Sequence, residues 1–223
     1  MAGTASLRMG TRPSLLAVAQ SRQTAALLQS RNPGLSIELV DITTRGDRDL
    51  ATPLDNVKAA AFFSAELDAA LLEGRVDCCV HSWKDIVTDR PAGLVHAATP
   101  ARAQPHDAIL FRSDIATRLA TAEPLRIGSS SLRRRVNVLD FLQWALPKGA
   151  ATQQIEFVDL RGAVDARLAR ITPAAGTAQL DGVVLALAGL QRLYADAAGR
   201  AAIATTLAAA RWMVLPLTSR PAA

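Results

Sequence analysis

The feature that most constrains this chain is a rhythm. Short β-rich runs alternate with helix-length stretches along most of its length. "SLRMGT" (6–11) reads as a strand and "PSLLAVAQSRQTAALLQSR" (13–31) as a helix. Pro13 suits the first helical position, and Leu15, Leu16, Ala19, Leu27 and Leu28 fit an apolar stripe. "LSIELVDITT" (35–44) alternates as a strand does. "FFSAELDAALLEG" (62–74) is an amphipathic helix closed by Gly74, and "VDCCVHS" (76–82) is a buried strand. "GLVHAAT" (93–99) and "DAILFR" (107–112) add two strand candidates. The series then restarts: strand 125–129, helix 130–146, strand 154–160, helix 162–171, a strand running into a helix over 181–193, and a last strand over 211–217. Repeated β-α-β units predict an α/β fold with mostly parallel sheets. The 223 residues, half of them hydrophobic, suffice for one large domain or two small ones. Pro100 and Pro105 within "ATPARAQPHDA" (98–108) place a hinge there, and "ITPAAGTAQLD" (171–181) reads as an exposed loop.

Charge narrows the function. The net charge is +5, and 22 of the 25 basic residues are arginine; the lysines are Lys58, Lys84 and Lys148. Arginine captures carboxylates and phosphates bidentately. A GC-rich genome also raises arginine, together with the alanine that is abundant here, so placement has to decide. The aromatic content is 4% and the longest basic run is Arg133-Arg134-Arg135, so no nucleic-acid partner is expected. The adjacent Cys78 and Cys79 point to opposite faces of a strand and build neither a disulfide framework nor a zinc site. No metal-ligand cluster is visible. No secretory h-region and no membrane-length apolar run are present, so the expected compartment is the cytoplasm, with no membrane partner.

In open α/β sheets, ligands bind beyond the carboxyl ends of the strands. Those ends read Thr11-Arg12-Pro13-Ser14, Thr43-Thr44-Arg45-Gly46-Asp47, Ser82 with Lys84 and Asp85, Gly128-Ser129-Ser130-Ser131 followed by Arg133 and Arg134, Arg161-Gly162, and Gly189 with Arg192. A Gly-Ser-Ser-Ser turn opening a helix suits an anion cradle and equally an ordinary N-cap. Several such ends, most carrying a cation, point to a small molecule with several carboxylates or phosphates. Asp85 is the exception, an acid among bases. It either pairs with a neighbouring arginine or holds a developing positive charge or an N–H of the ligand. His81 is read as a hydrogen-bonded structural residue rather than a base. Trp83 is core or pocket wall.

At this point the motifs match a family. "RMGTRPSLLAVAQ" (8–20), "ELVDITTRGD" (38–47), "FFSAELDAALLEGRVDCCVHSWKDI" (62–86), "IGSSSLRR" (127–134), "DLRGAVDARL" (159–168) and "DGVVLALAGLQRL" (181–193) resemble hydroxymethylbilane synthase, also called porphobilinogen deaminase. The resemblance implies two periplasmic-binding-protein-like (type II) lobes with mixed, mostly parallel sheets around a central cleft. Lobe one is then 1–101 plus 207–223, and lobe two is 102–206. It gives Asp85 and Lys84 catalytic positions. Arg12, Ser14, Ser129, Ser130, Ser131, Arg133, Arg134, Arg161, Arg167 and Arg192 fall on catalytic or carboxylate-binding positions. In the family the aspartate works on the pyrrole of porphobilinogen as ammonia leaves, where it stabilises an azafulvene-like cation.

Three departures qualify what is expected. The family's third domain, which carries the cysteine that holds a dipyrromethane cofactor, has no counterpart, and Cys78 and Cys79 do not match that cysteine. The family's Gly-Lys-Gly loop is replaced by "NVKAAAFF" (56–63). The usual Gln-Gly segment reads "LPLTSRPAA" (215–223), with Arg220 near the glutamine position, and 142–154 is longer than usual. The expectation is a truncated relative without the covalent cofactor. It binds a pyrrole with carboxylate side chains and deaminates it. The alternatives are a binding protein without chemistry, or a subunit completed by a separate protein partner.

Overall fold

A computed structural model describes residues 5–49, 62–86, 90–121, 123–147, 154–172 and 179–216. The chain divides into two compact units, Met1–Pro100 and Ala101–Ala223. Each is a mixed α/β unit.

In the first unit, β1 (Ser6–Thr11) lies between β2 (Ser36–Asp41) and β3 (Cys78–Cys79), all parallel. Helix α1 (Leu15–Arg31) links β1 to β2. Ser14, rather than Pro13, begins it: the Ser14 hydroxyl accepts the Ala17 N–H at 3.3 Å, so proline sits one residue before the cap. A one-turn helix α2 (Arg45–Arg48) follows β2, and α3 (Ala65–Leu72) precedes β3, with Gly74 at φ +67° just past its end. Ile42, Leu67, Ala70 and Val76 are buried together beneath the sheet. A short 3-10 turn, Trp83–Asp85, follows β3. The strand expected over 93–99 is absent. That segment makes no ladder and is mostly exposed, with Val95 at 86%. Its apolar residues lack the partner strand that turns alternation into a sheet.

The second unit holds five strands in the order β6-β5-β7-β4-β8. β5 (Leu125–Gly128) pairs in parallel with β6 (Ile155–Val158) and β7 (Gly182–Ala186). β4 (Asp107–Phe111) is antiparallel to β7 and to β8 (Arg211–Val214). Helices α4 (Ile115–Leu119), α5 (Leu132–Ala145), α6 (Val164–Ala169), α7 (Leu187–Ala195) and α8 (Ala197–Ala209) complete it. Ile109, Leu125, Ile127, Val138 and Leu142 form a core under the sheet, each at most 1% exposed. Truncating one of these leucines to alanine costs about 2–5 kcal/mol. The return of 207–223 to the first lobe is corrected for the described residues. Arg211–Val214 runs beside β4, register Phe111 to Arg211 and Ala108 to Val214, so the ladder ties this strand to the second unit.

Two glycines let strands end flush against their neighbours. A Cβ on Gly10 would lie 2.7 Å from the Cys79 sulfur, and one on Gly128 would lie 2.7 Å from side-chain carbons of Leu160 and Leu180. Each strand passes directly from that close approach into polar residues, Thr11-Arg12 in one unit and Ser129 in the other.

Candidate functional site

Two strand-end clusters emerge, one in each unit. In the first unit the polar turn after β3 carries the acid. Ser82 precedes the turn, the Asp85 N–H donates to the Ser82 carbonyl at 2.9 Å, and the Ile86 N–H donates to Trp83 at 3.2 Å. Asp85 is half-buried and Lys84 exposed. Burial pushes the His81 pKa down, against the opposing pull of Asp68 and Asp85. Burial thus favours the neutral imidazole. Trp83 is 62% exposed, with its ring 5.0 Å from that of His96. It is surface, not core.

Arg12 enters this unit from the end of β1, already committed. Its Nε donates to both Asp47 oxygens, at 3.0 and 3.2 Å, and its Nη2 closes the ion pair. Its guanidinium carbon lies 4.4 Å from the Phe63 ring centre. Asp47 also accepts the Thr44 N–H at 3.0 Å and the Thr44 hydroxyl at 2.8 Å, a reciprocal cap on α2. Burial works to raise the Asp47 pKa, but the hydrogen bonds from Arg12 and Thr44 outweigh it and hold the carboxyl below its ordinary value. Ser14 caps α1.

The two cysteines sit at the head of the turn. Burial pushes the Cys79 thiol up to about 12, and burial, then Asp77, raises Cys78 as well. Thiolates are the nucleophiles, so neither sulfur is primed for attack.

In the second unit the Ser129-Ser130-Ser131 turn divides its labour. The Ser130 hydroxyl accepts the Leu160 N–H at 2.8 Å and donates to the Leu160 carbonyl at 3.0 Å, joining the ends of β5 and β6. The Ser131 oxygen accepts the Arg134 N–H at 3.4 Å and caps α5. Ser129 is buried, at 4% exposure, and its oxygen faces the Ser131 N–H at 3.4 Å. All three are engaged in fixing the turn.

Arg133 and Arg134 share one acid. Arg134 donates to Asp107 Oδ1 from Nε at 3.1 Å and Nη2 at 2.8 Å, while Arg133 Nη1 lies 3.6 Å from Oδ2. Arg167, after β6, donates from Nε to the Gly162 carbonyl at 2.7 Å. Burial lowers its pKa, and the neighbouring Arg134 and Arg161 lower it further. Arg134 and Arg161 thus both repel the partly desolvated Arg167, and an anion beside it would offset that repulsion. Arg192 lies half-buried on α7, its pKa lowered by burial. It is not among the charges that act on Arg167.

Asp47 and Asp107 were not singled out as site residues from sequence. The signal for Asp47 was the Thr44-Arg45-Gly46-Asp47 spacing of a capping box. Nothing local announced Asp107, which lies 26 and 27 residues before its arginines. "NVKAAAFF" apart from its two phenylalanines, and Arg220, lie outside the described residues. Among the described residues no helix is long and apolar enough to cross a membrane, and no group of three or more His, Cys, Asp or Glu is placed to hold a metal.

Comparison with known proteins follows the same residues. The family described as porphobilinogen deaminase, dipyromethane cofactor binding domain, matches residues 7–216. The porphobilinogen deaminase of Trichlorobacter lovleyi is 40% identical over 187 residues, 84% of this chain and 55% of that protein. The porphobilinogen deaminase of Xanthomonas euvesicatoria is 39% identical over 212 residues, 94% of this chain and 63% of that protein. The chain therefore spans a little over half the length of these relatives. Among solved structures, HinK, a LysR family transcriptional regulator from Pseudomonas aeruginosa, matches at TM-score 0.39 and 14% identity over 82% of this chain and 52% of that one, too loosely to carry an argument. On the strength of the family match and these identities, the chain belongs to the porphobilinogen deaminase family.

Proposed function

We propose that this chain binds porphobilinogen, or a related pyrrole carboxylic acid, and eliminates ammonia from its aminomethyl group. The observation that carries this reading is Asp85, a half-buried acid held in a one-turn helix at the end of a parallel strand. The amino group leaves from its protonated, ammonium form: when the carbon–nitrogen bond breaks, both electrons go with nitrogen, which departs as ammonia. The methylene carbon and the ring are left cationic. A carboxylate beside the pyrrole N–H stabilises that charge as it develops. Loss of the ring proton gives the azafulvene, and addition of water gives a hydroxymethylpyrrole. Lys84, adjacent and exposed, offers an ammonium to a substrate carboxylate. Taken by themselves, the second unit's crowded Arg134, Arg161 and Arg167, with Arg133, suit carboxylate groups such as acetate and propionate.

Covalent dipyrromethane does not fit either of this chain's own cysteines. Cys79 is pressed against Gly10 with its thiol pKa raised to about 12, and Cys78 is also raised. Intact-mass measurement of the purified chain is expected to show no adduct on peptides containing Cys78 or Cys79.

The activity test is direct. Purified protein is incubated with porphobilinogen, and ammonia and pyrrole products are measured against Asp85→Asn. Ammonia release well above the uncatalysed rate, lost in the variant, supports the reading. Equal rates in both proteins at the uncatalysed level, with calorimetric binding intact, leave a binding protein without chemistry.

A further inference from the structure

We infer that Gln20, on α1, is a positioning residue that sets the attitude of the Asp85 turn. The inference rests on the proposed role of Asp85. A primary amide presents donors on one side and an acceptor on the other, and Gln20 uses both. Its Nε2 donates to the His81 carbonyl at 3.3 Å, and its Oε1 accepts the Ser82 hydroxyl at 3.0 Å. The assignment of the two amide atoms follows from chemistry. A carbonyl only accepts, so the NH₂ must face His81, and the oxygen is left for the hydroxyl.

These two residues are the link between β3 and the catalytic turn. The Ser82 carbonyl receives the Asp85 N–H at 2.9 Å, so one continuous path runs from the Gln20 amide through Ser82 to the backbone of Asp85. The sheet gives this link little support. β3 has only two residues, aligned with Met9 and Gly10 of β1. The brace itself is well anchored. Ser21, next to Gln20, donates its hydroxyl to the Thr11 hydroxyl at 2.8 Å, and both side chains are wholly buried. The end of β1, the start of α1 and the turn are therefore tied together from a fixed helix.

A carboxylate displaced by about 1 Å from a developing charge loses up to about a hundredfold in rate while ground-state binding survives. Gln20 thus acts on turnover rather than on affinity. The test uses the full chain with Gln20→Met, which keeps the length of the side chain and loses both hydrogen bonds, and Gln20→Glu, which keeps only the bond from Ser82. Ammonia release from porphobilinogen and amide hydrogen exchange are both measured. Gln20→Met is expected to lower kcat by about ten- to a hundredfold, with KM within about threefold. Exchange at the Asp85 and Ile86 amides is expected to speed up at least about tenfold, with β2 and α3 unchanged. Gln20→Glu is expected to fall between Met and wild type, and it serves alone if the Met variant does not fold. Wild-type kcat in Gln20→Met, a matching rise in KM, or unchanged exchange at Asp85 and Ile86 overturns the inference. If the wild-type protein itself releases no ammonia, or Asp85→Asn releases it normally, the catalytic reading has failed. The exchange rates then decide the brace by themselves.

Discussion

The two strand-end clusters, one in each unit, treat arginine differently. In the first, Arg12 is matched by Asp47, which is also held by Thr44, and covered by Phe63. Its Nε and Nη2 are spent on that acid. In the second, two arginines draw on a single carboxylate, Asp107, while Arg134 and Arg161 press on Arg167. The lesson concerns counter-ions. A guanidinium with its own acid built in holds the fold and presents a fixed edge. A guanidinium crowded by others stores repulsion, and that repulsion becomes binding energy for an anion. On the proposed function, chemistry belongs to Asp85 in the first unit, and the crowded arginines of the second are proposed as an anion site in their own right.

The largest expected effect would break the division if it failed. Asp85→Asn should lower the rate of ammonia release by about a hundredfold or more while the dissociation constant for porphobilinogen stays within about threefold. Single-turnover ammonia measurement and calorimetry check the two halves. Arg167→Gln should do the converse. Affinity should fall about ten- to a hundredfold, the range of a lost charge-assisted hydrogen bond. Thermal stability should be kept or raised, because two repulsions go with the charge. A collapse of Tm in that variant would mean that Arg167 is a structural residue.

Asp47→Asn sharpens the contrast on the other side. It leaves Arg12 without its counter-ion and Thr44 without a strong acceptor, and should cost about 2 kcal/mol of unfolding free energy. The sign with pH follows from the lowered folded-state pKa of Asp47. The stabilisation is present above the unfolded value of about 3.9 and is lost as pH falls through the lower folded one. The acid limb of the stability curve should therefore be shallower in the Asn variant, a difference that denaturant titrations between about pH 5 and pH 2 would show. The smallest effect belongs to Ser131→Ala. With a helix cap lost, a fall of about 1 kcal/mol is expected, read as a shift of a few degrees in Tm. Pyrrole binding should be unaltered, since the oxygen serves Arg134 N–H.

Local pattern carried far in this chain. β1 falls on the residues whose composition announced it, and α5, β6 and α6 lie within the segments expected. Helix α8 was missed because "AAGRAAIATTLAA" is rich in alanine but poor in the apolar spacing that marks a buried face. The segment 93–99 misled for the opposite reason, an apolar run without a partner strand. Asp85 stood out by being an acid at a strand end among bases. Gln20 and Asp107 did not stand out, because each gains its role only from a residue at least 26 positions away.

The sequence by itself determined the order of β and α elements, the concentration of charge at strand ends and the family, because these rest on short-range spacing and residue type. Tertiary structure alone decided three things. It placed the last strand beside β4. It put the Ser130 hydroxyl on the backbone of Leu160 and the Ser131 oxygen on an arginine N–H. It gave Arg12 and Arg134 their carboxylates. Each of these is a pairing across sequence distance, settled by which groups the packed chain brings within about 3 Å and which it leaves facing one another with like charge.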